Sequence, residues 1–146
     1  MSVYQRILVA VDLSPDSLFI GQRARSLSAA LDGELHLIHV VEPVPLAVPM
    51  PPDAVVPSMV TTQVELVERA QDYIGNLAKE LGVPETRWSV VVGNTRDEIV
   101  RVAIDRAVEL IVIGTRERHA LAFLIKPTED VVVHRAPCDV LAVRLK

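Results

Sequence analysis

Apolar residues gather into five short runs along the chain: Ile7–Val11, Leu35–Val41, Trp88–Val92, Leu110–Ile113 and Val140–Val143. Their hydrophobic positions run on rather than alternate, which is the pattern of strands buried on both faces. Between the runs the spacing changes. Ile20, Ala24, Leu27 and Leu31 follow at intervals of 4, 3 and 4, one stripe of a helix. Val60, Val64, Val67, Ile74, Leu77 and Leu81 mark a longer amphipathic helix, and Ile99, Val102 and Ala103 a third. The polar punctuation agrees. Ser14 suits an N-cap, Pro15 the first helical position, and Asp16 the positive end of the helix dipole. Asp32-Gly33 closes the first helix, and Gly82 with Pro84 the second. Gly93-Asn94 is a turn, and Thr95 with Glu98 predicts a capping box. Thr128-Glu129-Asp130 opens a fourth helix, which Ala136-Pro137 breaks. The order β-α-β-α-β-α-β-α-β predicts an α/β fold. It is an open, doubly wound five-stranded parallel sheet with helices on both faces and right-handed crossovers.

One stretch breaks the alternation. Glu42 to Pro57 holds six of the ten prolines, so it is expected to be neither regular helix nor central strand. The apolar side chains Val44, Leu46, Val48, Met50, Val55, Val56 and Met59 lie in or beside it. Two readings stand: a loop folded back across its own sheet, or an arm of polyproline character at 43–59 for an unidentified protein partner. The 146 residues otherwise read as a single domain, 1–146, with a proline-rich loop at 42–59.

Composition narrows the function. Fifteen basic against nineteen acidic residues give a net charge of -4, and the pI is near 5.5. Nucleic-acid binding is not expected, because it needs a concentrated basic face. Aromatics at 3% leave little for stacking bases. Cys138 is the single cysteine, which fits a reducing cytoplasm. The start, MSVYQRILVAVDLS, lacks the regions of a signal peptide, and no apolar run approaches the roughly 20 residues of a membrane span. A cytoplasmic protein is the expectation. The mean hydropathy of +0.33 then reflects strands buried on both faces.

In an open α/β sheet, ligands lie at the carboxyl ends of the strands, near the point where strand order reverses. Asp12, Val40, Val41 and the stretch from Gly114 to Thr128 fall there. Metal binding is not expected. His36 and His39 stand three apart on one strand and point to opposite faces, while His119 and His134 lack companions at ligand spacing. Cys138, without an adjacent His, reads as a buried inert thiol. No nucleophile elbow, Walker loop or GxGxxG fingerprint occurs.

Four segments resemble the universal stress protein family, in order and at its spacing. Arg6-Ile-Leu-Val-Ala-Val-Asp-Leu-Ser14 is similar to the first strand and its terminal Asp, and Leu37-Ile-His-Val-Val41 to the second strand. Ile111-Val-Ile-Gly-Thr115 and Ala136-Pro-Cys-Asp-Val-Leu-Ala-Val143 are similar to the closing strands. The resemblance covers essentially the whole chain, least at 42–57. It implies a Rossmann-like sheet of the adenine nucleotide alpha hydrolase type.

Many members bind ATP through a loop G-x2-G-x9-G-[ST], whose glycines let backbone amides approach phosphate. Counted from Gly114, the second glycine falls on Glu117, the third on Pro127 and the hydroxyl on Thr128. Counted back from Ala136-Pro137-Cys138, the last glycine and the hydroxyl fall on Lys126 and Pro127. No glycine follows Gly114. Proline has no N–H for a phosphate, and a carboxylate at Glu117 repels one. Glu129 and Asp130 already occupy the dipole end a phosphate would use. Arg116, Arg118, His119 and Lys126 offer compensating charge.

The resemblance therefore implies a residual nucleotide site for ATP or AMP at Asp12, Val40, Gly114, Arg116 and Thr128. Asp12 would lie beside adenine and ribose, and Val40 would line the adenine slot through its backbone. The other readings are a strand-end Asp held by nearby amides and a Val packed in the core. The resemblance also implies a homodimer through an edge strand, with Val140, Leu141, Ala142, Val143 and Arg144 at its interface. The expected function is a non-enzymatic, homodimeric regulator in the stress response, with no cofactor. The alternatives are an ATP- or AMP-gated switch and a slow ATPase.

Overall fold

The computed structural model describes residues 3–43, 57–116 and 135–145. Strands β1 (Arg6–Ala10), β2 (Glu34–Val41), β3 (Trp88–Val92), β4 (Leu110–Arg116) and β5 (Asp139–Leu145) form one sheet in the order β3-β2-β1-β4-β5. Each neighbouring pair is parallel. Helices α1 (Asp16–Ala30), α2 (Pro57–Leu81) and α3 (Thr95–Asp105) alternate with the strands, and a short 3-10 turn (Glu85–Arg87) leads into β3. The chain moves outward from β1 to β3, then crosses to the other side of β1 for β4 and β5. The order therefore reverses between β1 and β4.

Two apolar layers hold the sheet between helices. On one face Ile7, Val9, Leu35, Leu37 and Val112 pack with Ile20 and Ala24 of α1 and Ile74, Leu77 and Leu81 of α2. On the other, Leu8, Ile38, Ile111 and Ile113 pack with Ile99, Val102 and Ala103 of α3. Adjacent residues of β1 thus serve opposite layers, which is why its apolar run is unbroken. Of the predicted helix positions whose side chains are described, all are at least half-buried except Val64 of α2, which stays 52% exposed.

The structure moves several predicted ends. The side chain of Ser14 caps nothing; Pro15 takes the cap position of α1 with helical angles, and the Ser14 carbonyl accepts from Ser17 N. At α3 the cap is Asn94, not Thr95: its Oδ1 accepts from Arg96 N at 3.1 Å and Asp97 N at 3.2 Å. Thr95 Oγ1 instead donates to Glu42 Oε1 at 2.8 Å, and Glu98 pairs with Arg101 at 2.6 Å. The proline-rich stretch ends sooner than expected, since Pro57 to Met59 open α2; proline's fixed φ and missing N–H suit a first helical position. Residues 44–56 and the helix predicted from Thr128 lie outside the described residues.

Candidate functional site

The switch point between β1 and β4 is built from the β1–α1 turn. β1 stops at Ala10 while β4 runs on to Arg116, so the turn carrying Asp12 leaves the sheet beside the last residues of β4. Asp12 is folded back onto the chain that follows it. Its Oδ1 accepts from Ser14 N at 2.9 Å and from Ser17 Oγ at 3.3 Å. Ser17 is fully buried and also donates to the main-chain oxygens of Asp12 and of Ser14. One hydroxyl proton cannot serve three acceptors at once, so Ser17 shares it among the ends of a single turn.

Two more side chains brace the turn from outside. Tyr73 of α2 donates its hydroxyl to the Ser14 carbonyl at 2.9 Å. His39 of β2 places Nδ1 2.8 Å from the Val11 carbonyl; a carbonyl only accepts, so Nδ1 carries the proton. Burial pushes the Asp12 carboxyl up, but the bonds from Ser14 and Ser17 and the nearby His39 outweigh it. The net effect holds Asp12 below the ordinary carboxylate value. Asp12 is therefore an anion whose geometry is set by its own turn. Sequence reading nominated Asp12 and missed Ser17 and Tyr73. A buried serine five positions on was detectable only as a polar break in the helix's apolar stripe.

Val40 lies two residues beyond the last β1–β2 pair, Ala10↔Ile38, so it stands at the open end of that ladder. Its side chain is buried with Ile99 and Val102. Gly114 is not a residue after the strand but one inside it, paired with Val143. A Cβ on Gly114 would come 2.6 Å from Ile20 Cδ1 and 2.9 Å from Leu145 Cδ1. Both atoms are the ends of flexible side chains that can shift, so the close approach of α1 and β5 to β4 favours glycine here without demanding it. Arg116 closes β4. Thr128, Glu117, Arg118, His119, Lys126 and Pro127 lie outside the described residues.

His36 and His39 do separate to opposite faces, since His36 reaches the end of α3 and His39 reaches Val11. No group of three or more His, Cys, Asp or Glu side chains suited to a metal occurs among the described residues. Cys138 is half-buried, and burial pushes its thiol up, with the Asp139 charge adding to the effect. Such a thiol is a poor nucleophile. At the sheet's edge, β5 presents Leu141 and Ala142 to solvent, whereas Val143 is 6% exposed and belongs to the core. No described helix is long and apolar enough to cross a membrane.

The model of the universal stress protein family matches residues 3–144. Universal stress protein A homolog 2 of Coxiella burnetii is 35% identical over 147 residues, spanning 100% of this chain and 99% of its own. Among solved structures, a universal stress protein from Lactobacillus plantarum superposes with a TM-score of 0.73 at 21% identity, covering 99% of this chain and all of the other. A universal stress protein in complex with cAMP superposes at 0.63, with 23% identity and 97% and 98% coverage. These last two likenesses establish the fold, and the first two findings establish kinship. On the family match and the kinship with that relative, this chain belongs to the universal stress protein family.

Proposed function

We propose that this chain is a non-enzymatic, cytoplasmic regulator that acts as a homodimer and whose nucleotide site has lost its phosphate cradle. One observation carries the reading: no glycine occurs after Gly114, which itself lies inside β4 and is paired with Val143. Backbone amides reach a polyphosphate closely only where side chains are absent or the backbone is free to adopt glycine angles. The Asp12 turn is held by its bonds from Ser14 and Ser17, with Tyr73 and His39 bracing the Ser14 and Val11 carbonyls. These bonds give the turn a structural role of its own, whatever it binds.

The second reading is a nucleotide-gated switch in which Asp12, Val40, Gly114, Arg116 and Thr128 hold ATP, AMP or a cyclic nucleotide. The intact Asp12 turn and the cAMP complex of a structural neighbour favour it. Isothermal titration with ATP and Mg²⁺, AMP and cAMP separates the two. The first reading expects no heat at millimolar nucleotide. Micromolar binding that is lost in Asp12→Ala establishes the second.

A further inference from the structure

We propose that His36 makes the junction between β2 and the end of α3 acid-sensitive: a proton taken up by its ring expels the Arg106 guanidinium and frees the turn between α3 and β4. The contact is between a buried ring, 8% exposed, and a side chain 70 positions away. Arg106 NH1 lies 3.0 Å from His36 Nδ1. A guanidinium only donates, so Nδ1 must accept through its lone pair, and the ring is neutral with its proton on Nε2. The lone pair that holds Arg106 is the same one a proton from solvent would occupy. The two states therefore exclude each other.

The surroundings decide the direction. From β2 itself, Glu34 Oε2 lies 3.5 Å from Nε2, a charge contact that favours the protonated ring. From the 3-10 turn, Arg87 NH2 lies 3.5 Å from Glu34 Oε1 and draws on the same carboxylate. From the end of α3 comes Arg106, and β1 offers only Leu8, the register partner of His36. Burial, then the Arg106 and Arg87 charges, oppose protonation, and they outweigh Glu34; the ring titrates below its ordinary 6.5. A folded-state value below the unfolded one means the unfolded chain takes the proton first. The stabilising contact is whole above pH 6.5 and is lost as pH falls through the folded-state value.

What Arg106 anchors is a helix end. Its amide bonds to Val102 O at 3.0 Å, Ala107 adopts φ 51°, and Val108 N bonds to Ala103 O at 2.9 Å. This is a left-handed stop built on alanine where glycine is usual. Such a stop gains from an external tie.

Amide exchange read by NMR tests the idea. Protection at Arg106 and Val108 is expected to fall by up to about tenfold for each pH unit between 6.5 and the lower His36 midpoint, and to level off below that midpoint. His36→Asn keeps an acceptor that cannot take a proton, and its protection there should not change over the same range. An equal fall in His36→Asn, or a His36 midpoint at or above 6.5, overturns the proposal. Should His36→Asn not fold, Arg106→Met decides: the His36 midpoint must rise, and an unchanged midpoint overturns the proposal.

Discussion

Single residues set how closely the layers approach, and the glycines show it most sharply. Gly33 follows α1 at the entry to β2, and a Cβ there would lie 2.5 Å from the Tyr4 carbonyl oxygen. That obstacle is main chain, fixed by Glu34 N donating to Gln5 O at 2.7 Å, and it has nowhere to go. Gly75 lies inside α2, where a Cβ would meet the Trp88 ring at 3.5 Å, an ordinary contact. The two alanine substitutions should therefore differ in sign. Gly33→Ala is expected to cost about 1–3 kcal/mol, as overpacking does. Gly75→Ala should add about 0.5–1 kcal/mol, because glycine weakens a helix interior. Urea unfolding of both variants checks this, and equal signs would show that the interlayer spacing is not what these positions control.

At the scale of elements, the strands and the helix faces were legible because burial on two sides leaves an unbroken apolar run and burial on one side leaves a stripe. The ends were less so. Ser14-Pro15 and Thr95–Glu98 each satisfy a capping pattern, yet the structure uses neither side chain that way, because a neighbour competes. Asn94, one residue before Thr95, holds the cap position because Thr95 is already the first helical residue, and Thr95 is drawn to Glu42 at the end of β2. No local rule registers a partner 53 positions away. The same limit applies to the site. Asp12 stood out as a strand-end carboxylate, but the buried Ser17 and the Tyr73 brace arise from the packing of α1 on α2. Gly114 looked like the start of a loop because the family loop begins there, whereas β4 passes through it. The cap assignment has its own test. Asn94→Ala should cost about 1 kcal/mol and Asn94→Gly only a few tenths, since glycine tolerates the cap geometry and alanine does not. Thermal unfolding of the pair reads the difference, and equal losses would return the cap to Thr95.

For the whole molecule, the question is what covers the two outer strands. β3 is flanked by the 3-10 turn and by Trp88, half-buried against α2, while β5 ends the sheet with Leu141 39% exposed and Ala142 beside it. An exposed, uncharged edge pairs with another strand unless something blocks it, and Arg144 is the one charged side chain between Val140 and Leu145. Val143 is committed to the core, so it offers the edge only its main chain. Pairing of β5 with its own copy about a two-fold axis would put Leu141 of each subunit at a closed, self-complementary contact. A charge there would be met by its own copy. Leu141→Lys is therefore expected to halve the mass found by light scattering at about 10 μM, a concentration at which a specific dimer of micromolar or tighter affinity is largely formed. Its circular dichroism should remain that of the parent. Ile104→Lys, at a 60% exposed position on α3 away from that edge, should leave the mass unchanged. A Leu141→Lys variant that stays dimeric would place the contact elsewhere, and a parent protein that is already monomeric would overturn the dimer and leave β5 an unpaired edge.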